Sequence, residues 1–452
     1  MTSEGVQVSL RGLYSHSARR HGGRIAAASI VTLLAGCNST SAENARSADE
    51  FVDSIGVNTH SYYRTGPYAS YAWREKLLAS GIRYIRENLQ RASATQASRI
   101  NDLHAAGGIR ASFIFDPRRD RGGSVPELLE RLKRSMLSAT EQVEGPNEYE
   151  NAPEADWHEV AAAAEDYQSD LYSMVKGDSA TAHLTVLGPS VAHPMGYGAW
   201  GNLSEWLDQG NMHSYADGRM PSADLNEWTV AAQTTSGAKP VQATETGYHN
   251  ALSTTDEHEP TSERAAAIYL PRTYLEYFRR GVKRAFAYEL LDEGTSSSDI
   301  EDAFGLIRND YTDKPVMVAL RNLIALLEDP GPAFSPGSLT YSLEGAPSDV
   351  RRVLLQKRDG SFWLALWREV SVWDPIARED RYPGRATVTL DLADPVGRAA
   401  VYLPNRSATA TRTVFAPTSL TLDIGPALTL VELTPGAEAG ATPEFHSSTD
   451  GS

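Results

Sequence analysis

Short strand-like runs alternate with helical segments over residues 51–330, and this alternation constrains the fold more than any other feature. Alternation of this kind is typical of βα units that build a parallel sheet. Eight such units in about 280 residues match the size of a (β/α)8 TIM barrel. A doubly wound open sheet is the alternative, but no glycine-rich phosphate loop follows any of the runs. The predicted strands cover residues 55–60, 82–86, 109–116, a run ending at 148, 184–188, 211–215, 241–245 and 282–291.

Local signals place helices between these strands. Ser124 and Glu127 have the spacing of a capping box, and the leucines that follow recur on one helical face. Gly81 and Gly177 stand where helices are expected to end. A closing helix is predicted over residues 315–328.

After residue 332 apolar residues recur at every second position. Apolar residues alternate with polar ones over residues 388–392 and 420–424, and residues 353–357 and 362–367 flank a turn sequence typical of a hairpin. This pattern predicts an antiparallel β-sandwich domain over residues 335–435, after a barrel domain over residues 51–334. Trp363 and Trp367 fall on one strand face and are expected in its core.

The N-terminus has the pattern of an export signal. Several arginines precede an apolar run over residues 25–34 that is too short to span a bilayer. The run ends in Leu34-Ala35-Gly36-Cys37, which resembles the bacterial lipobox. The resemblance implies that residues 1–37 are a signal, that Cys37 is lipidated, and that the protein is exported and anchored to a cell-envelope membrane. A lone buried thiol is the alternative. Residues 38–50 are expected to be a linker, and residues 436–452 a disordered tail.

The charge balance excludes some partners. The net charge of −16 and the pI of about 5.2 argue against nucleic acid, whose binding needs clustered Lys and Arg. The acidic loop Asp256-Glu257-His258-Glu259 lacks the spacing of a zinc site. No metal or organic cofactor is implied by the sequence, and a monomer is expected.

The carboxyl ends of parallel strands meet at one end of a barrel, where its active site lies. Asn147 and Glu148 end the fourth predicted strand, and Glu245 ends the seventh. Other side chains at the same end are predicted to bind substrate: His60, Arg86, His213, Tyr215, Tyr288 and Trp200. Arg83 is an alternative to Arg86. The alternatives to the glutamate pair are Glu144, Glu289 and Asp292.

These motifs resemble clan A of the glycoside hydrolases, also called 4/7 barrels. In that clan an Asn-Glu pair ends the fourth strand and a second glutamate ends the seventh. Further matches are the segments His213-Ser214-Tyr215, Tyr288-Glu289-Leu290, Phe304-Gly305-Leu306 and Lys314-Pro315. The β domain is similar to that of families 39 and 30. Many members have Trp-Asn-Glu-Pro where this chain has Pro146-Asn147-Glu148-Tyr149.

The resemblance implies that Glu148 is the acid/base and Glu245 the nucleophile of a retaining mechanism. Such a mechanism needs carboxyl groups about 5–5.5 Å apart, so that one attacks the anomeric carbon while the other protonates the leaving oxygen. Glu148 must then hold a proton near neutral pH, which burial favours. Glu245 must stay ionised, and Arg86 and Tyr215 are its expected donors. Asn147 would donate to the sugar 2-hydroxyl.

The sequence thus predicts a retaining β-glycosidase that cleaves a poly- or oligosaccharide. His213 would position sugar hydroxyls or orient a carboxylate, and modest loops favour an open cleft and endo action. A lipid-anchored glycan-binding protein on a degenerate barrel is one alternative, although binding alone would not need both glutamates. A polysaccharide lyase or transglycosylase on the same fold is another.

Overall fold

A parallel barrel forms the larger part of the structure, a computed structural model that describes residues 41–118, 122–151, 157–256 and 258–436. The barrel is preceded by two short strands. In chain order the first ten strands are β1 (Ser41–Asn44), β2 (Arg46–Ser47), β3 (Ile55–Asn58), β4 (Tyr84–Asn88), β5 (Arg110–Ile114), β6 (Thr140–Glu144), β7 (Thr185–Leu187), β8 (Gly210–His213), β9 (Val241–Thr246) and β10 (Ala285–Ala287).

Strands β3 to β10 form one sheet in the order β7-β6-β5-β4-β3-β10-β9-β8, and every pairing is parallel. The outer strands meet through a parallel bridge between Leu187 and Gln209, where the Gly188 N–H donates to the Gln209 carbonyl at 2.9 Å. The sheet therefore closes, and the predicted (β/α)8 barrel is confirmed. The predicted end of the fourth strand is wrong, because β6 ends at Glu144 and residues 145–148 form a loop.

Helices surround the barrel and pack on it through their apolar faces. The predicted capping box is present, since Ser124 and Glu127 satisfy each other's backbone N–H groups at the start of a helix. No helix in the described ranges combines the length and apolar character needed to cross a bilayer. The helices are α1 (Ala48–Asp53), α2 (Gly66–Ala69), α3 (Trp73–Ser80), α4 (Ala94–Gly107), α5 (Val125–Ser135), α6 (Trp157–Gly177), α7 (Tyr197–Trp200), α8 (Leu225–Ser236), α9 (Glu263–Arg279) and α10 (Pro315–Leu327).

The barrel interior contains a layer of paired amides. Gln142 of β6 donates to Gln242 of β9 at 3.0 Å and to the Ser112 hydroxyl at 3.0 Å. Gln242 donates back to Gln142 and to Gln209, both at 2.9 Å. Because each amide has partners, this buried polar layer carries little desolvation penalty. It ties strands on opposite sides of the barrel together at mid-height.

The C-terminal part is the predicted antiparallel β-sandwich. Two sheets with the orders β1-β11-β16-β19 and β18-β17-β20-β13-β12-β2 enclose a core of aliphatic residues. The predicted hairpin is present as the pairing of β12 with β13. The strands are β11 (Ser338–Glu344), β12 (Val350–Gln356), β13 (Phe362–Arg368), β14 (Trp373–Asp374), β15 (Glu379–Asp380), β16 (Ala386–Leu392), β17 (Arg398–Tyr402), β18 (Arg412–Phe415), β19 (Ser419–Ile424) and β20 (Thr429–Thr434).

The predicted linker over residues 38–50 is wrong for most of its length. Strand β1 pairs with β11, and β2 pairs with β12, so each adds an edge strand to one sandwich sheet. Helix α1 follows directly, with the Ser47 hydroxyl capping its N-terminus. The chain thus contributes two strands to the sandwich before it forms the first barrel strand. Cys37 lies outside the described residues, as does the predicted tail apart from Gly436.

Barrel and sandwich meet along α9, which is buried over almost its whole length. Arg272 in this helix forms an ion pair with Glu369, which follows β13, at 2.7 Å, and the two side chains are 0% and 2% exposed. The Trp367 indole N–H also donates to Glu369, at 2.8 Å. A buried charge pair of this kind depends on both members, because either one alone would be left uncompensated.

We predict that Arg272→Ala destabilises the protein strongly, since it leaves the Glu369 carboxylate buried without its cation. The expected loss in the free energy of unfolding is about 3–5 kcal/mol, measured by denaturant titration. Arg308→Ala is the matched control, because the Arg308–Glu263 pair is 37% and 34% exposed and such pairs contribute at most about 1 kcal/mol. Equal losses in the two variants would contradict the prediction.

Candidate active site

One cavity at the carboxyl end of the barrel contains most of the predicted site. It has a volume of about 560 Å³. Seven of the nine predicted catalytic and binding side chains line it: His60, Arg86, Asn147, Glu148, Tyr215, Glu245 and Tyr288. Glu148 and Glu245 approach each other there, with a carboxylate oxygen of one within 4.8 Å of an oxygen of the other. His213 lies behind this pair and is fully buried.

Arg86 of β4 connects the carboxylates and is itself only 2% exposed. Its guanidinium donates two hydrogen bonds to Glu144, at 2.8 and 2.6 Å, and one to Glu245, at 2.6 Å. It also donates to the side-chain oxygens of Asn58, at 3.0 Å, and Asn147, at 2.6 Å. The planar fork of arginine suits this arrangement, because it offers several donors in fixed directions. Arg86 therefore positions carboxylates, and Glu144 serves as its buried counter-charge.

Glu245 has the donors that the sequence predicted for it. Arg86 binds one carboxylate oxygen at 2.6 Å, and the Tyr215 hydroxyl donates to the other at 2.7 Å. Donors of this kind favour the ionised form of a carboxyl group. Arg83, the alternative to Arg86, instead pairs with Asp49 at 2.6 Å, away from the cavity.

Glu148 projects from the loop after β6. Its backbone has a φ of 42°, in the left-handed region that residues other than glycine seldom adopt. The conformation is held by the Ser190 carbonyl, which accepts from the Glu148 N–H at 3.1 Å, and by the Ser190 N–H, which donates to the Pro146 carbonyl at 3.1 Å. The loop thus continues alongside the segment after β7 and turns the Glu148 side chain into the cavity.

His213 at the end of β8 donates from Nδ1 to Glu148 at 2.6 Å. Its Nε2 lies 3.1 Å from the Thr244 hydroxyl. Burial raises the pKa of Glu148, but the hydrogen bond and charge of His213, together with Arg86, outweigh it and leave that pKa below its usual value. Burial lowers the pKa of His213, but the charge of Glu245 and the hydrogen bond to Glu148 raise it overall. Both directions favour an ionised Glu148 beside a protonated His213 in the free protein, whereas the sequence predicted the proton on Glu148.

Three residues named in the sequence analysis have other roles or surroundings. Trp200 is wrong as a substrate-binding residue, because it is 3% exposed and belongs to the barrel core. The sequence does not distinguish an aromatic residue that is exposed in a loop from one that is buried in the core. Asp292, an alternative catalytic carboxylate, is paired with Lys314 at 2.7 Å. Asn147 lies beside Glu148, but its side-chain oxygen already accepts from Arg86 and Ser190.

Two acidic residues on the opposite wall of the cavity were missed from the sequence, and a third, Glu289, was named only as an alternative catalytic carboxylate. Glu293 and Glu301 line the cavity, and Glu289 lies fully buried behind them beside His60. Burial and neighbouring acidic groups raise the pKa of Glu293 to about 7, whereas burial lowers the pKa of His60 to about 4. Glu293 and Glu301 come from the long segment between β10 and α10. Nothing local in that segment signals that it folds back over the barrel mouth.

A second cavity of about 710 Å³ adjoins the first. Glu148, Tyr215 and His258 line both cavities. His258 is held by Asp217, whose carboxylate accepts from its Nδ1 at 2.9 Å. Glu148 of the candidate catalytic pair therefore lies between two open spaces, whereas Glu245 lines the first one only.

No protein-family model and no curated protein matches the sequence. Solved structures match in fold. A family 39 glycoside hydrolase from Bacteroides cellulosilyticus WH2 aligns at a TM-score of 0.57 and 15% identity, over 86% of this chain and 81% of that one. A glucosidase from Croceicoccus marinus aligns at a TM-score of 0.59 and 10% identity, over 87% of this chain and 97% of that one. The GH39 enzyme from Xanthomonas axonopodis pv. citri aligns at a TM-score of 0.54 and 14% identity, over 87% of this chain and 96% of that one. The chain therefore has the barrel-and-sandwich fold of these glycoside hydrolases.

We predict that Glu148→Gln lowers the pKa of His213, because the variant removes the hydrogen-bonded anion while burial of the imidazole remains. The pKa is measured by NMR titration of the histidine side chains in the full chain. In the wild-type protein Glu148 and His213 should form an ion pair over a range of pH. That range begins at the Glu148 pKa, which lies below 4.5, and ends at the His213 pKa, which lies above 6.5. The stabilisation by the pair is then lost both as pH falls through the Glu148 pKa and as pH rises through the His213 pKa.

Glu227→Gln is the matched control for this titration. Glu227 lines the second cavity with Glu148 and His213, but among the described residues no hydrogen bond or ion pair joins it to His213. The control should leave the His213 pKa unchanged. A His213 that titrates below 6.5 in the wild-type protein, or that does not respond to Glu148→Gln, would contradict the assigned proton position.

Proposed function

We propose that the protein is a retaining glycosidase that hydrolyses a β-linked poly- or oligosaccharide. The observation that carries the proposal is the carboxylate pair Glu148 and Glu245, with oxygens within 4.8 Å of each other in an open cavity. Inverting enzymes separate their carboxyl groups by about 6.5–9.5 Å to admit a water molecule, whereas retaining enzymes use about 5–5.5 Å. The short separation therefore favours double displacement.

Glu245 is the nucleophile in this proposal. Arg86 and Tyr215 bind one oxygen each, which fixes the orientation of the carboxylate in the cavity. Its attack on the anomeric carbon forms a covalent glycosyl ester and breaks the bond to the leaving oxygen. As the ester forms, the negative charge of Glu245 disappears, and the Tyr215 hydroxyl and Arg86 stay in place to stabilise the carboxylate when it leaves again.

Glu148 is the acid/base. The proton that rests on His213 passes to Glu148 along the 2.6 Å hydrogen bond and from Glu148 to the leaving oxygen. Loss of the Glu245 charge in the glycosyl ester then weakens the hold of His213 on a proton, since that charge raises the His213 pKa. In the second step Glu148 removes a proton from water, which attacks the anomeric carbon and releases the sugar.

The two adjoining cavities support cleavage within a glycan chain. Glu148 and Tyr215 stand between them, so sugar units can lie on both sides of the scissile bond. Aromatic rings that could stack on sugar faces line the first cavity: Tyr62, Tyr63, Tyr288 and Phe304. This arrangement favours endo action on a polysaccharide over removal of single terminal sugars.

The proposal is tested with Glu148→Gln and Glu245→Gln on a panel of polysaccharides and aryl glycosides. Each variant should lower kcat/KM by at least about 10²–10⁴-fold, whereas Glu130→Gln, an exposed carboxylate on α5, should retain full activity. The first product released by the wild-type enzyme should keep the β configuration in NMR spectra. Full activity in either site variant, or an inverted product, would refute the mechanism.

Azide separates the two roles. With Glu245→Ala, azide replaces the nucleophile and should give a glycosyl azide of inverted configuration. With Glu148→Ala, azide attacks the covalent ester, and two successive inversions should give a β-glycosyl azide. The opposite stereochemistry would exchange the two assignments. Transfer products at high sugar concentration would identify a transglycosylase on the same site.

We also propose that Cys37 anchors the protein to a cell-envelope membrane after export, which the Leu34-Ala35-Gly36-Cys37 sequence supports. One lipidated residue would hold the catalytic domain at a membrane surface while it acts on glycans outside. Cys37→Ser should release the protein from the membrane fraction of expressing cells, as measured by detergent partitioning. Unchanged membrane association would contradict the lipid anchor.

A further inference from the structure

His60, Glu289 and Glu293 converge on one point of the first cavity. His60 follows β3, and the two glutamates follow β10. The imidazole Nε2 of His60 lies 3.4 Å from Glu289 Oε2 and 3.7 Å from Glu293 Oε1. One potential ligand atom from each residue lies within 4.8 Å of the other two. Two distant parts of the chain therefore direct an imidazole and two carboxylates toward a common centre.

One buried carboxylate oxygen of this cluster is left without a hydrogen bond from any residue that the structure describes. Glu289 is fully buried, and its Oε2 accepts from the Tyr68 hydroxyl at 2.8 Å. Its Oε1 has no hydrogen-bond partner within the described part of the chain. The ring nitrogens of His60 lie at 3.5 Å from the Tyr62 and Tyr288 hydroxyls. A buried carboxylate with an unsatisfied oxygen is rare and calls for a ligand or a function.

The basic side chains near the cluster are bound to other carboxylates. Lys314 is committed to Asp292 at 2.7 Å, and Arg86 to Glu144 and Glu245. Glu301 extends the acidic wall and accepts from the Tyr288 hydroxyl at 2.8 Å. Across the residues that the structure describes, neither Glu289, Glu293 nor Glu301 forms an ion pair with a lysine or an arginine. A bound cation would balance this group.

We propose that His60, Glu289 and Glu293 bind a divalent transition-metal ion of the Zn²⁺ or Mn²⁺ type. Imidazole nitrogen suits Zn²⁺, and carboxylate oxygen suits Mn²⁺ and is also a ligand of Zn²⁺. Three protein ligands with the remaining positions open is the arrangement of a zinc site that exchanges water or substrate.

The distances fit such an ion. Ligand atoms about 2.1 Å from a tetrahedral Zn²⁺ are about 3.4 Å apart, and His60 Nε2 and Glu289 Oε2 are separated by 3.4 Å. The imidazole is also fixed in direction. It stacks on Tyr63 at 4.7 Å between ring centroids, and Tyr68 and Tyr288 contact it edge-on. The ring of His60 is therefore held in position before an ion binds.

The ion would face the substrate cavity. His60 is 12% and Glu293 25% exposed, and both line the cavity that contains Glu245. Open coordination positions are thus accessible to water or to a sugar hydroxyl. The other cluster of this type, formed by Glu148, His213 and Glu245, is a poorer candidate because Arg86, Tyr215 and His213 already donate to its carboxylates.

The inference is tested on the full-length protein, freed of metal with a chelator and titrated with ZnCl₂ or MnCl₂ by calorimetry. One ion should bind per chain and raise the unfolding temperature. Glu289→Gln and Glu293→Gln should each weaken binding by at least about 10-fold. Because Glu289 is buried, its variant is accepted only if the metal-free protein unfolds cooperatively. Glu293 is partly exposed, so its variant tests the site without that risk.

Glu301→Gln and Glu245→Gln are the matched controls, since both remove a carboxylate from the same cavity outside the proposed ligand set. Each should bind the ion within about 2-fold of the wild-type affinity, well inside the effect expected for a ligand. The proposal is overturned if neither metal binds, if Ca²⁺ alone binds, or if Glu245→Gln abolishes binding while Glu293→Gln does not. None of these readouts requires glycosidase activity.

Discussion

The buried guanidinium of Arg86 is the interaction on which the candidate site depends. Two carboxylates, Glu144 and Glu245, approach each other inside a barrel where either charge alone would be costly to bury. Arg86 binds both and orients Asn147 as well. The strands that carry these groups, β4, β6 and β9, are thereby tied together at their carboxyl ends. The position of the candidate nucleophile thus follows from a charge balance within the barrel.

The charges on the two walls of the cavity are balanced differently. On one wall each carboxylate has a donor: Glu144 and Glu245 share Arg86, and Glu148 has His213. On the other wall, Glu289 and Glu293 lie near the imidazole of His60 and tyrosine hydroxyls, and neither pairs with a lysine or an arginine of the described ranges. The first wall suits carboxylates that must change protonation state or attack carbon. The second suits a bound cation. Both walls lie within one cavity, so a ligand held by the second wall would be adjacent to the reacting groups of the first.

Much of the architecture could be predicted because it depends on local patterns. Helical and strand periods identified the eight barrel units, and the capping box at Ser124 and the hairpin of β12 and β13 depend on residues close in sequence. The first sandwich strands were missed, because β1 and β2 gain their hydrogen bonds only from β11 and β12, about 300 residues later. Trp200 was misassigned because burial depends on what packs around a side chain.

The amino-acid sequence alone determined the order of the elements and which two barrel units carry the glutamates of the candidate pair, since periodicity and turn residues are local properties. It did not determine where the protons and charges reside. The opposite pKa directions of Glu148 and His213 depend on a 2.6 Å contact between residues 65 positions apart. The pairing of Arg86 with Glu144 and the convergence of His60 with Glu289 likewise exist only once the barrel closes. Electrostatic interactions depend on distance and burial in space, and the tertiary structure alone decides both.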